Sequence, residues 1–394
     1  MNHFDVIVVG AGPAGSVAAA GLAARGYRTA LLDRAKFPRD KPCGDYCDPG
    51  SVRLLDALGV VPDLTAQGAG FIDGMTVVAQ DGTAFSAAFP TGRAMLMPRR
   101  RLDAVLAERA ARSGADLLER YQVDQVTIDG GVSVAGLGRR TGLHARLLVA
   151  ADGMRSIVAR RLGLLKAFPD GRYTVGAYFS GVPGTAAGEL HLGTGLYGGV
   201  ARFGDGTANV CLALPRERFR GRQVASVFLD GVRSLPRLQD AVRNWTRETA
   251  FRVTGPVGFA SHPVLTARTL LAGDAAQQVE PITGQGIFFA LQSGLLAAEQ
   301  GSAALTGGEF GVEALAGYER RRARLLGGKL RLLKAVTALS LRARVAPRLV
   351  SRLRRDAGLA QMLLGATGDV LPPGSVFSIR YLIRLLVAAD AHDA

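Results

Sequence analysis

FDVIVVGAGPAGSVAAAGLAARGYRTALLDR, residues 4–34, is the stretch whose reading decides the fold. Val6–Val9 is a short run of branched apolar residues without polar alternation, the pattern of a parallel strand buried on both faces. Gly10, Gly12 and Gly15 follow as G-x-G-x-x-G, an alanine-rich helical segment reaches about Arg25, and a second strand, Thr29–Leu32, ends in Asp33. Gly10 permits the tight turn, Gly12 lets a backbone approach a pyrophosphate, and Gly15 lets the helix pack closely on the strand. The helix starts at Pro13 and Ala14, and its free amides and dipole favour phosphate charge there. Asp33, with Arg34 beside it, is about 20 residues on and placed to accept hydrogen bonds from a ribose. Strand, glycines, helix, strand and terminal acid in register predict a dinucleotide-binding unit.

Composition bounds the rest. With 394 residues the chain has room for two domains or one large interleaved one, and 48% hydrophobic against 21% charged residues is a globular balance. Three cysteines (Cys43, Cys47, Cys211) are too few for a disulfide framework and suit a reducing cytoplasm. The chain enters its first strand almost at once and holds no run of about 18 uninterrupted apolar residues, so neither a signal peptide nor a membrane span is expected. The net charge of +15 is concentrated, with thirteen Lys/Arg against Glu319 and Asp356 between Ala316 and Ala360.

Along the chain, Asp48 before Pro49 reads as an N-cap with proline at the first helical position. Phe71 to Val78 and Ala84 to Phe89 flank Asp81-Gly82 as a hairpin. Leu102, Val105, Leu106 and Ala110 recur at helical spacing. Short strands are predicted from Gln122 to Ile128, Val132 to Ala135 and Leu143 to Ala150. Gly136-x-Gly138 lies at a turn with no helix after it and reads as loop. From Tyr173 to Leu214, strand-like segments broken by Gly and Pro predict an antiparallel sheet. Helical material from Gln223 to Trp245 and a strand near Ala250 to Val253 follow. Leu270 to Ala272 reads as a buried strand, Ile287 to Gln300 as a helix, and the chain from Val312 onward as mainly helical.

Three separated motifs coincide: GAGPAG with Asp33, AADGMRS at 150–156, and LLAGDAAQQVEPITGQGIFFALQSGLLAAE at 270–299. Together they resemble the flavoprotein superfamily of para-hydroxybenzoate hydroxylase and geranylgeranyl reductase. The last motif is most similar to geranylgeranyl-reductase-type proteins, whose pattern is GDAAG-x-x-x-P-x-TGEGI. The likeness spans about residues 1–300. It implies an α/β fold with a Rossmann-type FAD-binding domain (1–65, 95–165 and 255–305) interleaved with an antiparallel-sheet substrate domain (66–94 and 166–254). A basic, mainly helical C-terminal region (306–394) completes the chain.

The resemblance further implies FAD as cofactor and NAD(P)H as electron donor. Asp274, after Gly273, is placed to accept from a ribityl hydroxyl. Pro281, Gly284, Gln285, Gly286 and Ile287 form a loop entering a helix whose amides face the flavin's pyrimidine edge, where a helix dipole favours the reduced form. Arg99 matches a position on the diphosphate side, and Asp152-Gly153 one near the cofactor. KPCGDYC (41–47) resembles a cysteine–glycine loop near the flavin, which makes Cys43 and Gly44 cofactor contacts and Cys43 a catalytic candidate, against a buried structural thiol. Cys43-x-x-x-Cys47 is not a zinc spacing, and no metal site is expected. Tyr197-Gly198-Gly199 stands where reductase relatives carry Y-x-W-x-F-P. Tyr197 and Pro281 complete the catalytic candidates, while His191 reads as a satisfied sheet histidine. Gln277 replaces the usual Gly or His and Gln285 the usual Glu, which implies a reshaped cavity near the isoalloxazine. Trp245 is the only tryptophan, and the W-x-W-x-I-P halogenase signature is absent.

Two chemistries on a lipophilic small molecule remain. The favoured one is a monooxygenase that transfers oxygen from a flavin C4a-hydroperoxide to a phenolic, polyketide-like ring, a reading towards which the lost aromatic segment and polar Gln277 and Gln278 lean. The other is hydride transfer to an isoprenoid double bond while a protein group protonates the second carbon. A flavin-binding scaffold without turnover is a remoter third. In the tail, residues 325–355 mix basic and apolar side chains at helical intervals, which suits either an anionic membrane surface or a solvated or core-packed helix. Aromatics for base stacking are nearly absent there, so no nucleic-acid partner is expected. The expected location is cytoplasmic, with peripheral contact at the inner face of the membrane.

Overall fold

A computed structural model describes residues 2–138, 141–165, 171–185 and 187–387, so the expectations for the end of the tail, 388–394, lie outside it. The opening stretch forms β1 (Val6–Val9), α1 (Pro13–Ala23) and β2 (Thr29–Leu32). Both strands are wholly buried, as their unbroken apolar sequences require. β1 pairs in parallel with β2 on one side and with β3 (Leu147–Ala150) on the other; β3 in turn pairs in parallel with β4 (Thr269–Leu271). Asp116–Leu118 closes the edge beside β2, and a two-residue antiparallel strand, Leu265–Thr266, the edge beside β4.

The run predicted as one strand from Leu143 to Ala150 is two. Leu143–Ala145 pairs antiparallel with Gly131–Gly136, and β3 enters the parallel sheet. The break is at Arg146, whose amide bonds to the Asp5 carbonyl (3.1 Å) and whose guanidinium bonds to the Leu305 carbonyl (3.1 Å). The helical expectation from Gln223 to Trp245 also shortens, to Val224–Arg233 followed by a turn at Ala241–Asn244. Pro236 lies between them and cannot continue a helix.

A second sheet runs in the order 246–247, 172–180, 207–215, 197–202, 188–192, 74–78 and 84–88. Its early hairpin is recruited through parallel pairing of Gly74–Val78 with Gly188–Leu192. One face of this sheet packs Val175, Phe179 and Val210 against Phe228. The other face receives the C-terminal helices.

Three more helices set the site. α2 (Arg99–Arg112) lies near α1, and α3 (Gly286–Gly307) packs along it. A Cβ on Gly294 would sit 2.4 Å from the Ala14 carbonyl oxygen, so the close approach of α3 to the start of α1 requires glycine there. α4 (Val312–Ser340) then spans both halves. Leu315 and Tyr318 join the core of the parallel sheet, where the Tyr318 hydroxyl donates to the Leu271 carbonyl at 2.6 Å. Leu332, further along, packs with Phe85 and Tyr197 of the second sheet.

Candidate functional site

The glycine motif forms a cradle. Gly10 has φ +97°, and a Cβ there would lie 2.4 Å from the Ala151 carbonyl oxygen; one on Gly15 would lie 1.8 Å from the Gly10 carbonyl oxygen. Gly12 is different. A Cβ there would meet nothing within 4 Å except the Arg39 guanidinium at 3.7 Å, so the space in front of it is open to a ligand. No side chain caps α1, so the amides of its first turn are available to hold a diphosphate. Asp33 is fixed behind them: its carboxylate accepts from the amides of Ala11 (3.0 Å) and Ala35 (2.9 Å).

Cations gather at this cleft beyond those the sequence named. Arg39 bridges Asp33 (3.5 Å) and the fully buried Asp103 (3.0 Å). Arg99 grips the same Asp103 through two bonds of 2.7 and 2.9 Å and faces the Cys43 thiol. The Lys41 ammonium would lie 3.5 Å from a Cβ on Gly153. Burial lowers the Lys41 pKa, and the charge of Asp274 opposes that shift. Arg34, by contrast, is exposed. Asp152 serves α-helical structure as well as the cleft: one carboxylate oxygen accepts from the amides of Ile157 (2.7 Å) and Val158 (3.2 Å), while the other is buried without a protein partner.

Across the cleft, Gly273-Asp274 opens the turn that follows β4, with the Gly273 amide bonded to Ser293 Oγ at 2.8 Å. Pro281–Thr283 makes one tight turn, and Gly284 follows at φ +70°, where a Cβ would strike the Tyr46 ring at 2.5 Å. α3 begins at Gly286 with no side-chain cap and with open space in front of that residue. Its first amides are therefore free towards the cleft. The two glutamines predicted to reshape the cavity do not face it. Gln277 accepts from Arg322 (2.9 Å), and the Gln285 side chain, fully buried, donates to Asp369 (3.0 Å). Charged groups of the C-terminal region, Arg322 on α4 and Asp369 in a turn, outcompete the cavity for these amides.

Beside this loop lies a cavity of about 300 Å³. Gly44, Tyr46, Pro281 and Gly284 form its floor; Leu190, Leu192, Tyr197 and Leu212 its sheet wall; Leu332, Val336, Val350 and Leu353 its roof. The basic tail is thus not an appended region: its apolar face walls the cavity. A buried carboxyl stands behind the sheet wall. Tyr197 donates to Glu280 Oε1 at 2.8 Å, and Arg172 stands 3.6 Å from the same oxygen. Burial raises the Glu280 pKa, against the opposing Tyr197 bond and Arg172 charge.

The cysteine loop is uncharged at sulfur. Burial raises the Cys43 thiol and pushes Cys211, on the sheet wall, to about 12, so neither is a thiolate at neutral pH. Cys43 packs against the cluster that holds Cys47 and Leu55, while its neighbour Gly44 lines the cavity. Asp45, two residues on, was not foreseen. It has φ +54°, is 1% exposed, and accepts from Asn209 (2.6 Å), the Arg99 amide (3.0 Å) and the Tyr178 hydroxyl. Burial raises its pKa to about 6. His191, 1% exposed, pairs with Glu189 at 2.8 Å, a sheet histidine with a partner. Among the described residues no group of three His, Cys, Asp or Glu is placed to hold a metal ion.

Glu280 and Lys41 lay inside quoted motifs without being singled out. Asp45 shares the 41–47 motif with Lys41, and Arg39 lies just ahead of it in irregular loop, where no periodicity marks a residue.

Comparison with known proteins adds three findings. Residues 3–180 match the FAD binding domain family. Over 340 residues the chain is 30% identical to digeranylgeranylglycerophospholipid reductase 1 of Methanothermobacter thermautotrophicus, covering 81% of this chain and 82% of that protein. It is 32% identical to menaquinone reductase of Mycobacterium tuberculosis, covering 75% and 76%. Among solved structures, a triple mutant of the flavin-dependent brominase Bmp2 superposes with a TM-score of 0.82 over 97% of this chain and 98% of that one, at 18% identity, which is a likeness of fold.

Proposed function

The chain belongs to the digeranylgeranylglycerophospholipid-reductase-type family of FAD-dependent oxidoreductases, and on that premise we propose that it reduces a carbon–carbon double bond in a polyprenyl-type lipophilic substrate. NAD(P)H is the proposed electron donor and the cytoplasm the proposed compartment. One observation carries the reading: the cavity beside the 281–284 loop is lined mainly by apolar side chains, and the hydroxyl of Tyr197 on its wall is hydrogen-bonded to Glu280, a buried carboxyl just behind that wall.

FAD supplies the two-electron reduction when bound. The chain's residues fit it: Gly12, Ala14 and Gly15 would hold the diphosphate by their amides, Asp33 the ribose, Asp274 the ribityl chain, and the first amides of α3 the pyrimidine edge. The chain's own chemical part is the proton. An isolated alkene offers no polar handle, so aliphatic walls must orient it while an acid stands ready at one carbon. Glu280 is held towards its protonated form by burial, and the Tyr197 hydroxyl between it and the cavity is the path for transfer.

A second reading, hydroxylation of a phenolic ring, draws support from Gly199, a cavity residue at which a Cβ would meet nothing within 4 Å. That open patch beside Tyr197 accommodates a flat ring. The test is anaerobic incubation of the FAD-loaded protein with reduced nicotinamide and a geranylgeranyl lipid. The expected product has gained two hydrogens. A product formed only in air and carrying one added oxygen would replace the reductase reading by the hydroxylase one. No turnover under either condition would leave a flavin-binding scaffold.

A further inference from the structure

We propose that the mouth of the cavity is a seat for an anionic lipid bilayer, so that substrate passes from membrane to cavity without crossing water. Three residues are at once exposed and part of the cavity lining: Leu339 (37% exposed), Phe377 (45%) and Leu382 (40%). They therefore mark its rim. Ile379 (77%) and Ile383 (53%) continue the apolar surface outward from that rim.

The last described helix, α5 (Ile379–Val387), explains the patch. Its inner face is already satisfied: Tyr381 is 5% exposed and its hydroxyl donates to the Leu359 carbonyl at 3.4 Å. Ile379 and Ile383 stand on the other side, four residues apart and so one above the other. Packing within the chain gives no reason for isoleucine there. A bilayer interface does, because each buried isoleucine leaves water.

Charge selects the occupant. Arg342, Arg344 and Arg348, which follow the rim residue Leu339, and Arg380, beside Ile379, are exposed and have no acidic partner among the described residues. Arg352 and Arg384, by contrast, share the single carboxylate of Asp356 at 3.8 and 2.7 Å. A second copy docking through the same patch would bring these arginines against one another, which is unfavourable. An anionic headgroup layer matches them, with each basic residue worth about fivefold in partition. No described helix is long and apolar enough to cross a membrane, so the contact is interfacial.

Co-sedimentation of the full FAD-loaded chain with phosphatidylglycerol/phosphatidylcholine vesicles tests this by binding alone, independently of any reaction. Binding to these vesicles, weaker on pure phosphatidylcholine and weaker at high salt, is expected. The double variant Ile379→Asp/Ile383→Asp, on an exposed face, should bind at least about tenfold less with unchanged FAD content. Arg380→Glu should lower only the preference for anionic lipid. Equal binding by wild type and the double variant, or no binding by wild type, would overturn the proposal. So would a wild-type dimer in solution that the double variant splits.

Discussion

Tyr197, on the second sheet, and Glu280, immediately ahead of the loop that begins at Pro281, are joined by a 2.8 Å hydrogen bond across 83 positions of sequence. The bond ties the cavity wall to the loop that begins at Pro281 and places a buried carboxyl at their junction.

Glu280→Gln should therefore lower kcat by roughly 10²–10⁴-fold, the usual contribution of a positioned acid, while FAD content stays at one per chain. Tyr197→Phe should fall in the same range, because the buried carboxyl keeps its place but loses its route. Steady-state kinetics and the flavin absorbance of purified protein check this. A Glu280→Gln protein at wild-type kcat would remove the acid from the scheme.

Gly12 and Gly15 should separate cofactor binding from folding. Gly12→Ala meets open space and should change stability by less than about 1 kcal/mol, yet lose FAD. Gly15→Ala, whose Cβ would lie 1.8 Å from a carbonyl oxygen, should cost about 3 kcal/mol in stability. Urea unfolding of the apoprotein with flavin stoichiometry measures both. Undiminished FAD in Gly12→Ala would displace the diphosphate from this turn.

Asp45 gives stability a pH signature. Its folded pKa, about 6, lies above the ordinary 3.8, so between those values the folded state holds the proton more tightly than the unfolded one. Its contribution is full below pH 3.8 and is lost as pH rises through about 6, by up to about 3 kcal/mol. Unfolding free energies from pH 4 to 7 should fall on that account in wild type, and Asp45→Asn should flatten this slope. An unchanged slope in the variant assigns the effect elsewhere.

Lys329 is 2% exposed and bonds Asp369 at 2.8 Å and the Ala366 carbonyl at 2.7 Å. Lys329→Met leaves Asp369 uncompensated beside the buried Asp48, whose pKa burial and the Asp369 charge raise to about 8. The expected cost is about 3–5 kcal/mol. Adding Asp369→Asn should recover much of it, as thermal melts of the single and double variants would reveal. Equal melting of the two would mean that charge is not the cause.

The nucleotide unit was legible because its signal is local: β1, the glycines, α1 and Asp33 are contiguous, and each residue's role follows from the turn it occupies. The cavity was not. Period 3.6 in the tail marks an apolar face without saying whether Leu332 or Val350 meets lipid, water or Tyr197. Gln277 and Gln285 read as cavity groups because they follow cofactor motifs, yet Arg322 and Asp369, distant in sequence, decide where they point. Asp45 at positive φ carries no sequence mark except an acid in a glycine-rich loop. Side-chain pairing over long separations escapes periodicity.

The span of α4 sets a rule for exchanging parts between relatives. The helix that roofs the cavity at Leu332 is rooted earlier in its length by Leu315 and Tyr318, the latter bonded to Leu271, the last residue of β4. A chimera spliced at Gly327, between root and roof, would inherit a foreign roof on a native root, with the register between them unmatched. Grafts meant to change substrate choice should be cut ahead of Val312, so that wall and anchor travel together.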